Sequence, residues 1–294
     1  MDDNFCGCGL ITEIHNLKIR FMKSTLAALL IMLSLFAGAQ KHTLKLLWQT
    51  DSIVATPESV LADTKNNVLY ISLINGDPWG ADGVGGIARL NTDGSGYDST
   101  FITGLNAPKG LGLYGNRLYA ADISEVVVVD IAGKKVEKKI AIEGASGLND
   151  ITVTDNGVVY VSDSKTAKVW RIENDQPTLY LENLDGANGL KAVKNDLYIA
   201  SGKNFLKADA AKKLTPVTEL PQPGDGVEPI GNGDFLVSAW SGYIFYVSAK
   251  GKTETLLETA AQKKNTADIS YDPVKKIVYV PTFFAKTVAA YQLQ

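Results

Sequence analysis

From residue 57 onward, the chain repeats one pattern of apolar and polar positions six times. Each copy has a small polar turn, an apolar strand, a turn rich in Asn, Asp or Gly, and a second strand usually centred on tyrosine. Short apolar or alternating runs bounded by turn residues are typical of β-strands. The copies begin at six quartets: Pro57–Val60, Pro108–Leu111, Leu148–Ile151, Ala187–Leu190, Gly224–Val227 and Thr266–Ile269.

The spacing of these copies predicts the architecture. The second residue of each quartet lies at position 58, 109, 149, 188, 225 or 267, which gives intervals of 51, 40, 39, 37 and 42 residues. Such intervals suit one four-stranded blade each, so we predict an all-β fold, a six-bladed β-propeller. The last blade lacks a fourth strand after the third. We expect the N-terminal strand Thr43–Trp48 to supply it and so close the open edge. The expected third strands include Gly86–Leu90, Val126–Ile131, Lys168–Ile172 and Tyr243–Ser248.

The N-terminal region has a different character. Basic Lys23, the apolar run Leu26–Phe36 and the small residues 37–39 stand in the order of a secretory signal peptide. The run is shorter than the roughly 20 residues that span a bilayer, so a membrane anchor is the weaker alternative. We expect residues 1–21 to be an upstream translation artefact, 22–39 a signal peptide and 40–294 a single propeller domain. The mature protein would then be exported, periplasmic or secreted, with no stable membrane insertion.

The composition and charge of the chain exclude several kinds of catalytic and binding site. Both cysteines, Cys6 and Cys8, precede the expected cleavage site, and they are too few for a zinc site. Of the two histidines only His42 would remain, beside the new N-terminus. Catalysis by a cysteine thiol is therefore excluded, and so is a histidine general base within the folded body. The net charge of -3 argues against nucleic-acid binding.

Equivalent residues on the innermost strands of a propeller form a ring around the central channel. Carboxylates and carboxamides in this ring are the oxygen ligands that calcium and similar divalent cations prefer. The alternative for any one Asn or Asp is a turn cap. Lys109 would either take the place of the cation or point to the rim, with its charge in water, and bind a substrate carboxylate or hydroxyl. The second residues of the quartets are Glu58, Lys109, Asn149, Asn188, Asp225 and Ala267.

Other polar and aromatic residues lie close to the ring in sequence. Asp150 and Asp268 each follow a ring position, where they would support the ligands or a turn, and Asp150 is also a candidate substrate contact. Trp79, Trp240 and Phe283 are candidates for stacking on a ligand, with core packing as the alternative. The tyrosines of the second strands are expected to pack in the core: Tyr70, Tyr119, Tyr160, Tyr198 and Tyr279.

The long first interval reflects an insertion, Asn75–Gly83, that is dense in turn-forming residues. Three interpretations stay open for it. It would be a lid that carries Trp79 over the pocket, a calcium loop that uses Asp77 and Asp82, or a decorated hairpin.

The ring motifs resemble those of the regucalcin and gluconolactonase family of six-bladed propellers, with paraoxonases as more distant relatives. The resemblance spans nearly all of residues 40–294. It implies a catalytic divalent cation, usually calcium, held by Glu58, Asn149, Asn188 and Asp225. The motifs that carry it are Pro-Glu-Ser-Val at 57–60, Leu-Asn-Asp at 148–150, Ala-Asn-Gly-Leu at 187–190 and Gly-Asp-Gly-Val at 224–227.

The same resemblance implies a function. The protein would be a metal-dependent hydrolase of a lactone or related ester, and its partner a small molecule such as a lactone or sugar derivative. Asp225 would be both ligand and general base toward a metal-bound water that attacks the carbonyl. Gly147 stands where gluconolactonase-like members often place an arginine, and the paraoxonase-type histidines are missing, so the substrate stays open.

Two other functions remain as alternatives. A non-catalytic propeller would bind a sugar, peptide or protein on the same face, with any cation structural. An alkaloid-synthase-like condensing enzyme would use Glu58 without a metal.

Overall fold

The computed structural model describes residues 42–294. The expected signal peptide, the expected upstream artefact and both cysteines therefore lie outside the described residues. Within residues 42–294, no helix is long and apolar enough to cross a bilayer. Two short 3-10 turns, Ala260–Gln262 and Phe283–Ala285, are the helical elements of this part of the chain.

Six four-stranded antiparallel sheets make up this part of the chain, as predicted. Their first strands contact one another in a closed circle, so they surround a central axis. Blades one to five are β2–β5, β6–β9, β10–β13, β14–β17 and β18–β21, and blade six is β22–β24 together with β1. In chain order the strands are β1 (Leu44–Gln49), β2 (Pro57–Asp63), β3 (Val68–Leu73), β4 (Gly85–Asn91), β5 (Asp98–Leu105), β6 (Pro108–Tyr114), β7 (Arg117–Asp122), β8 (Glu125–Asp130), β9 (Lys135–Ala141), β10 (Leu148–Val153), β11 (Val159–Asp163), β12 (Lys168–Glu173), β13 (Gln176–Glu182), β14 (Ala187–Val193), β15 (Asp196–Ser201), β16 (Asn204–Ala208), β17 (Leu214–Glu219), β18 (Val227–Gly231), β19 (Asp234–Ala239), β20 (Tyr243–Val247), β21 (Thr253–Glu258), β22 (Ser270–Asp272), β23 (Ile277–Pro281) and β24 (Val288–Leu293).

The N-terminal strand closes the sixth blade. β1 pairs antiparallel with β24, from Leu44 opposite Leu293 to Gln49 opposite Ala289. Backbone hydrogen bonds of 3.0 Å in both directions between Thr43 and Gln294 extend this pairing. The two ends of the described chain are thus held in one sheet, and β24 has no open edge.

The apolar core lies between neighbouring blades. Valine, leucine and isoleucine side chains from facing sheets form one buried cluster at each blade interface. Tyr70, Tyr119 and Tyr279 are buried in these clusters, while Tyr160 and Tyr198 pack against them partly buried. The predicted packing role of the second-strand tyrosines is confirmed.

A β-bulge interrupts the innermost strand of each of the first four blades. In blade one, Pro57 pairs with Leu73 but Val60 pairs with Ile71, so β2 contains one residue more than β3 over the same stretch. The same shift occurs in β6, β10 and β14. Two consecutive residues of a bulge oppose one residue of the partner strand. The side chains of the ring residue and of the residue after it can therefore both face the channel.

Candidate functional site

The predicted ligand residues come together at the axis. Glu58, Asn149 and Asp225 are buried, and Asn188 is partly buried. The side chain of Asn188 lies close enough to Asp225 to lower the pKa of its carboxyl. Nδ2 of Asn149 donates to Oγ of Ser164 at 3.0 Å, and this hydroxyl donates to the carbonyl of Ala187, next to Asn188, at 2.6 Å. Blades three, four and five thus bring their ring residues to one place.

Three oxygen atoms of this ring lack hydrogen-bond partners. Oε2 of Glu58, Oδ1 of Asn188 and Oδ1 of Asp225 are all buried and accept no hydrogen bond. An unpaired buried acceptor costs about 1–3 kcal/mol, and a charged one costs more. A bound cation would supply the missing partner of all three oxygens at once.

Burial also controls the protonation of the two ring carboxyls. It raises the pKa of Glu58 well above the usual range, with a further increase from the nearby Asp225 and an opposing effect of Lys109. Burial raises the pKa of Asp225 to about 8, and the charge of Asp268 adds to this increase. The side chain of Asn188 and the charge of Lys109 oppose it. Without a cation, the site therefore favours the protonated, neutral forms near neutral pH.

The donor set fits a hard divalent cation. Within residues 42–294, no three His, Cys, Asp or Glu side chains are grouped as metal ligands, which argues against a zinc-type centre. The ring offers two carboxylates, Glu58 and Asp225, and two carboxamides, Asn149 and Asn188. Such an all-oxygen set suits calcium, with waters completing six to eight ligands.

Lys109 lies beside Trp79 at the rim, but the structure corrects the expectation that its charge is in water. Its side chain is only 3% exposed, so the ammonium is not in bulk water. Nζ donates instead to the carbonyl oxygens of Pro78 and, at 3.3 Å, Ala107. Lys109 forms no ion pair with Glu58 or Asp225 within the described residues, so it does not occupy the position of the cation.

Asp150 is not placed as a substrate contact. Its Oδ1 accepts a hydrogen bond from the backbone N of Ile151 and its Oδ2 accepts one from the backbone N of Leu190, both at 2.6 Å. The second of these bonds links blade three to blade four. Because both carboxylate oxygens accept hydrogen bonds from backbone N–H groups, Asp150 supports the strands that carry Asn149 and Asn188.

Asp268 has the same role between blades six and one. Oγ of Ser59 donates to Oδ2 of Asp268 at 2.5 Å, and the backbone N of Asp268 donates to the carbonyl of Glu58 at 3.0 Å. Burial raises the pKa of Asp268 to about 7, although the hydrogen bond from Ser59 lowers it. Asp268 thus fixes the strand segment from which Glu58 projects.

The insertion of blade one contacts the ring. The indole of Trp79 lies 4.2 Å from Nζ of Lys109, measured to the ring centroid, and the carbonyl of Pro78 accepts the hydrogen bond from the same ammonium. Asp77 and Asp82 accept backbone hydrogen bonds within the loop, from Trp79 and from Val84 among others. These contacts favour the lid interpretation, with the two aspartates as turn caps rather than calcium ligands.

The loops between the second and third strands of the blades form a rim around the ring, and aromatic side chains make up part of it. Trp240 follows the second strand of blade five, and Phe283 and Phe284 follow the second strand of blade six. The ring of Trp240 lies 5.6 Å from that of Phe283 and 5.9 Å from that of Phe284, both edge-on. Trp240 is 45% exposed and Phe284 61% exposed, so this surface is open to contact with a ligand.

Sequence reasoning missed two rim residues, Lys165 and Phe284. Nζ of Lys165 lies 4.5 Å from the centroid of Trp79. Both residues occupy the loop between the second and third strands of a blade, as Trp79 and Trp240 do. The same repeat phase that located the ring would have found them.

The ring is covered in this conformation. Four surface cavities of about 370 to 600 Å³ open elsewhere on the described residues, and none of them is lined by Glu58, Asn149, Asn188 or Asp225. Glu58 and Asp225 are 5% and 3% exposed. The two ring carboxyls are therefore buried, while Asn188 stays partly exposed.

Comparison with known proteins supports the fold. No protein-family model matches the sequence, and the search of curated proteins found none similar to it. Among solved structures, the chain is similar to a gluconolactonase of Xanthomonas campestris (TM-score 0.65, 15% identity, 83% of this chain and 88% of that one). It is also similar to virginiamycin B lyase of Staphylococcus aureus with quinupristin (TM-score 0.62, 13% identity, 86% and 99%) and to a chain of a nidogen–laminin complex (TM-score 0.59, 16% identity, 69% and 80%). At these identities the likeness shows a shared fold, the six-bladed β-propeller.

Proposed function

We propose that this protein is a metal-dependent hydrolase of a lactone or related ester, acting at the axial ring. The observation that carries the proposal is the set of three buried oxygens without partners, on Glu58, Asn188 and Asp225. The likeness of the fold to a gluconolactonase supports the choice of reaction. Glu58, Asn149, Asn188 and Asp225 would hold the cation, most simply calcium.

A bound divalent cation supplies Lewis acidity, which polarises a carbonyl and lowers the pKa of water at the site. Glu58 and Asn188 would bind the cation through Oε2 and Oδ1, the buried oxygens that lack hydrogen-bond partners. Asn149 is fixed by Ser164, so its carbonyl oxygen remains free to bind.

Asp225 is the proposed general base. Its carboxylate takes a proton from the attacking water while the water oxygen forms a bond to the carbonyl carbon. The bond from that carbon to the ring oxygen of the lactone then breaks, and the leaving oxygen takes the proton back. The product is the open-chain hydroxy acid.

The first experiment is a calorimetric titration of calcium into chelator-treated protein, with Asp225→Ala as the variant. We expect saturable binding that is lost in the variant, together with calcium-dependent opening of glucono-lactone followed by pH-stat. The matched control is Glu228→Gln, because Glu228 is a buried carboxylate of the same blade that pairs with Lys191 at 2.9 Å. Hydrolysis that persists in Asp225→Ala would refute the assigned role.

The exposed aromatic surface favours a second candidate, a binding propeller without catalysis. Trp240 and Phe284 present apolar area that a sugar ring or a peptide would cover. The similar fold in a nidogen–laminin complex shows that such propellers occur in protein complexes. Calcium binding without turnover of any lactone or ester, together with a ligand whose affinity falls in Trp240→Ala, would favour this candidate.

A further inference from the structure

We propose that the axial site takes an anionic substrate, a lactone or ester that carries a carboxylate, and that Lys165 is the residue that selects it. This inference rests on the hydrolase function proposed above. It concerns the group that the substrate presents to the rim, away from the bond that is broken.

Two ammonium groups meet on one indole ring at the rim. The centroid of Trp79 lies 4.2 Å from Nζ of Lys109 and 4.5 Å from Nζ of Lys165. Burial lowers the pKa of Lys109, the charges of Glu58 and Asp122 oppose this change, and the like charge of Lys165 adds to it. The indole attracts both cations through its π face but neutralises neither.

No carboxylate of the described residues pairs with either lysine. The ion pairs within 4.0 Å in this part of the chain include neither Lys109 nor Lys165. Three acids act on Lys109 through their charge: Glu58, Asp122 and Asp77. Glu58 is a proposed cation ligand, and Asp122 accepts hydrogen bonds from the backbone N of Asn106 and Ala107. When Glu58 and Asp225 balance a divalent cation, the two lysines face Asp77 as the remaining carboxylate of the insertion, so a net positive charge is left at the mouth of the site. The mouth of the loaded site is therefore complementary to an anion.

The position of Lys165 depends on a glycine beside the ring. A Cβ placed on Gly147 would lie 2.6 to 2.9 Å from the Cβ, Cγ and Cδ atoms of Lys165. The lysine stem therefore packs over Gly147, two residues before Asn149. Oδ1 of Asp163 accepts hydrogen bonds from the backbone N of Lys165 at 3.1 Å and of Thr166 at 3.0 Å, which fixes the turn. These contacts hold the exposed side chain of Lys165 in one direction at the rim.

The rim divides into two kinds of surface. The loops of blades one and three contribute the lysine–tryptophan cluster, while the loops of blades five and six contribute Trp240 and Phe284. A substrate with one charged end would be oriented by this division, because its carboxylate would face Lys165 and its apolar edge would face the aromatic rings.

The test compares two lactones of equal ring size, glucono-1,4-lactone, which ends in a hydroxymethyl group, and glucaro-1,4-lactone, which ends in a carboxylate. We expect the calcium-loaded protein to favour the second by about tenfold in kcat/KM, as one charge-assisted contact allows. Lys165→Met should remove that preference through KM, and Lys165→Arg should keep it. Lys168→Met is the matched control, because Nζ of Lys168 lies over the ring of Trp170, 5.5 Å from its centroid, whereas Nζ of Lys165 lies over Trp79.

A binding measurement separates this inference from the hydrolase proposal. Glucarate and gluconate, which have no bond to hydrolyse, are titrated into the calcium-loaded protein with tryptophan fluorescence as the signal. Both carry the carboxylate that hydrolysis would produce, and glucarate alone has a second one at the other end. We expect glucarate to bind more tightly than gluconate in the wild type, and this difference to disappear in Lys165→Met.

The outcomes are distinguishable. Glucarate binding that depends on Lys165, without hydrolysis of either lactone, would refute the hydrolase and keep the anionic site. Hydrolysis of both lactones with a ratio unchanged in Lys165→Met would overturn the anionic site and keep the hydrolase. Neither binding nor hydrolysis would overturn both.

Discussion

Glu58 and Asp225 are carboxyls that the fold buries without giving each oxygen a partner. Burial raises the pKa of both groups, so their charged forms are unfavourable in the empty site. A ligand that binds only the folded protein stabilises it by mass action. The cost of burying these two acids and the affinity of the ring for a cation therefore have the same physical origin.

Replacing Asp225 by Asn should stabilise the cation-free protein and weaken calcium binding. The amide has nearly the same shape but no charge to desolvate, so we expect Tm in chelator to rise by about 2–4 °C, the effect of about 1 kcal/mol in a domain of this size. Calcium affinity should fall by about 100-fold, because a charged ligand is lost. Differential scanning fluorimetry and calorimetry measure the two effects. A fall of Tm in chelator with unchanged affinity would contradict the assignment.

Gly189 is a residue that no other can replace. A Cβ at this position would lie 1.8 Å from the backbone oxygen of Asp225 on the next blade. We expect Gly189→Ala to lower the free energy of unfolding by about 3 kcal/mol or more, since the backbone must shift at a packed interface. The measurement is urea unfolding. Gly104→Ala is the control, with open space around the new Cβ and a φ of +78°, and we expect it to cost about 1 kcal/mol.

At the scale of elements, the bulge in the innermost strands decides what the channel contains. Strict alternation along β10 would turn Asp150 away from the face that carries Asn149. The register shift between Leu148 and Ile151 instead brings Asp150 to the axis, where it binds the backbone of blade four. Sequence position alone left its role open between ligand support and substrate contact.

The pairing of β1 with β24 gives a prediction at the same scale. A chain that begins at Thr50 lacks β1, so it should expose the backbone edge of β24 and form aggregates. We expect a lower Tm and early-eluting species in size-exclusion chromatography. A chain that begins at His42 is the control and should remain a single species. An unchanged elution profile after removal of β1 would show that closure is dispensable.

At the scale of the whole molecule, the buried acids predict how stability depends on pH. The folded-state pKa of Asp268 is raised to about 7 and that of Asp225 to about 8, above the value of about 3.9 in an unfolded chain. The folded protein then binds more protons than the unfolded chain between these values, so its stability falls as pH rises through about 4 to 8. The stabilising contribution of the protonated acids is complete only below about pH 4.

Urea unfolding in chelator at several pH values between 5 and 9 measures this dependence. We expect the free energy of unfolding to decrease up to about pH 8 and then to level off, and Asp225→Asn to show a shallower decrease. Saturating calcium should oppose the trend, since the cation favours the ionised carboxylates. Stability that increases with pH in chelator would contradict the raised pKa values.

The repeat allowed most of the fold to be predicted before the structure was known. Because the blades place the same turn and strand in the same phase, with a tyrosine in five of them, six copies reinforce a signal that would be weak in one. The candidate ring Glu58, Asn149, Asn188 and Asp225 followed from that phase, and the structure gathers these residues at the axis. The environment of Lys109 did not follow, because its partner Pro78 belongs to an insertion outside the repeat.

Periodic patterning and chain order are local properties, so they were enough to predict the number of blades, the strand that closes them and the residues that share the axis. The unpartnered ring oxygens, the burial of Lys109 under the loop of blade one and the contact of Lys165 with Trp79 became known from the folded structure. These facts depend on contacts between blades far apart in the chain. Burial in such contacts sets the pKa values and the charge of the mouth, and no linear pattern records it.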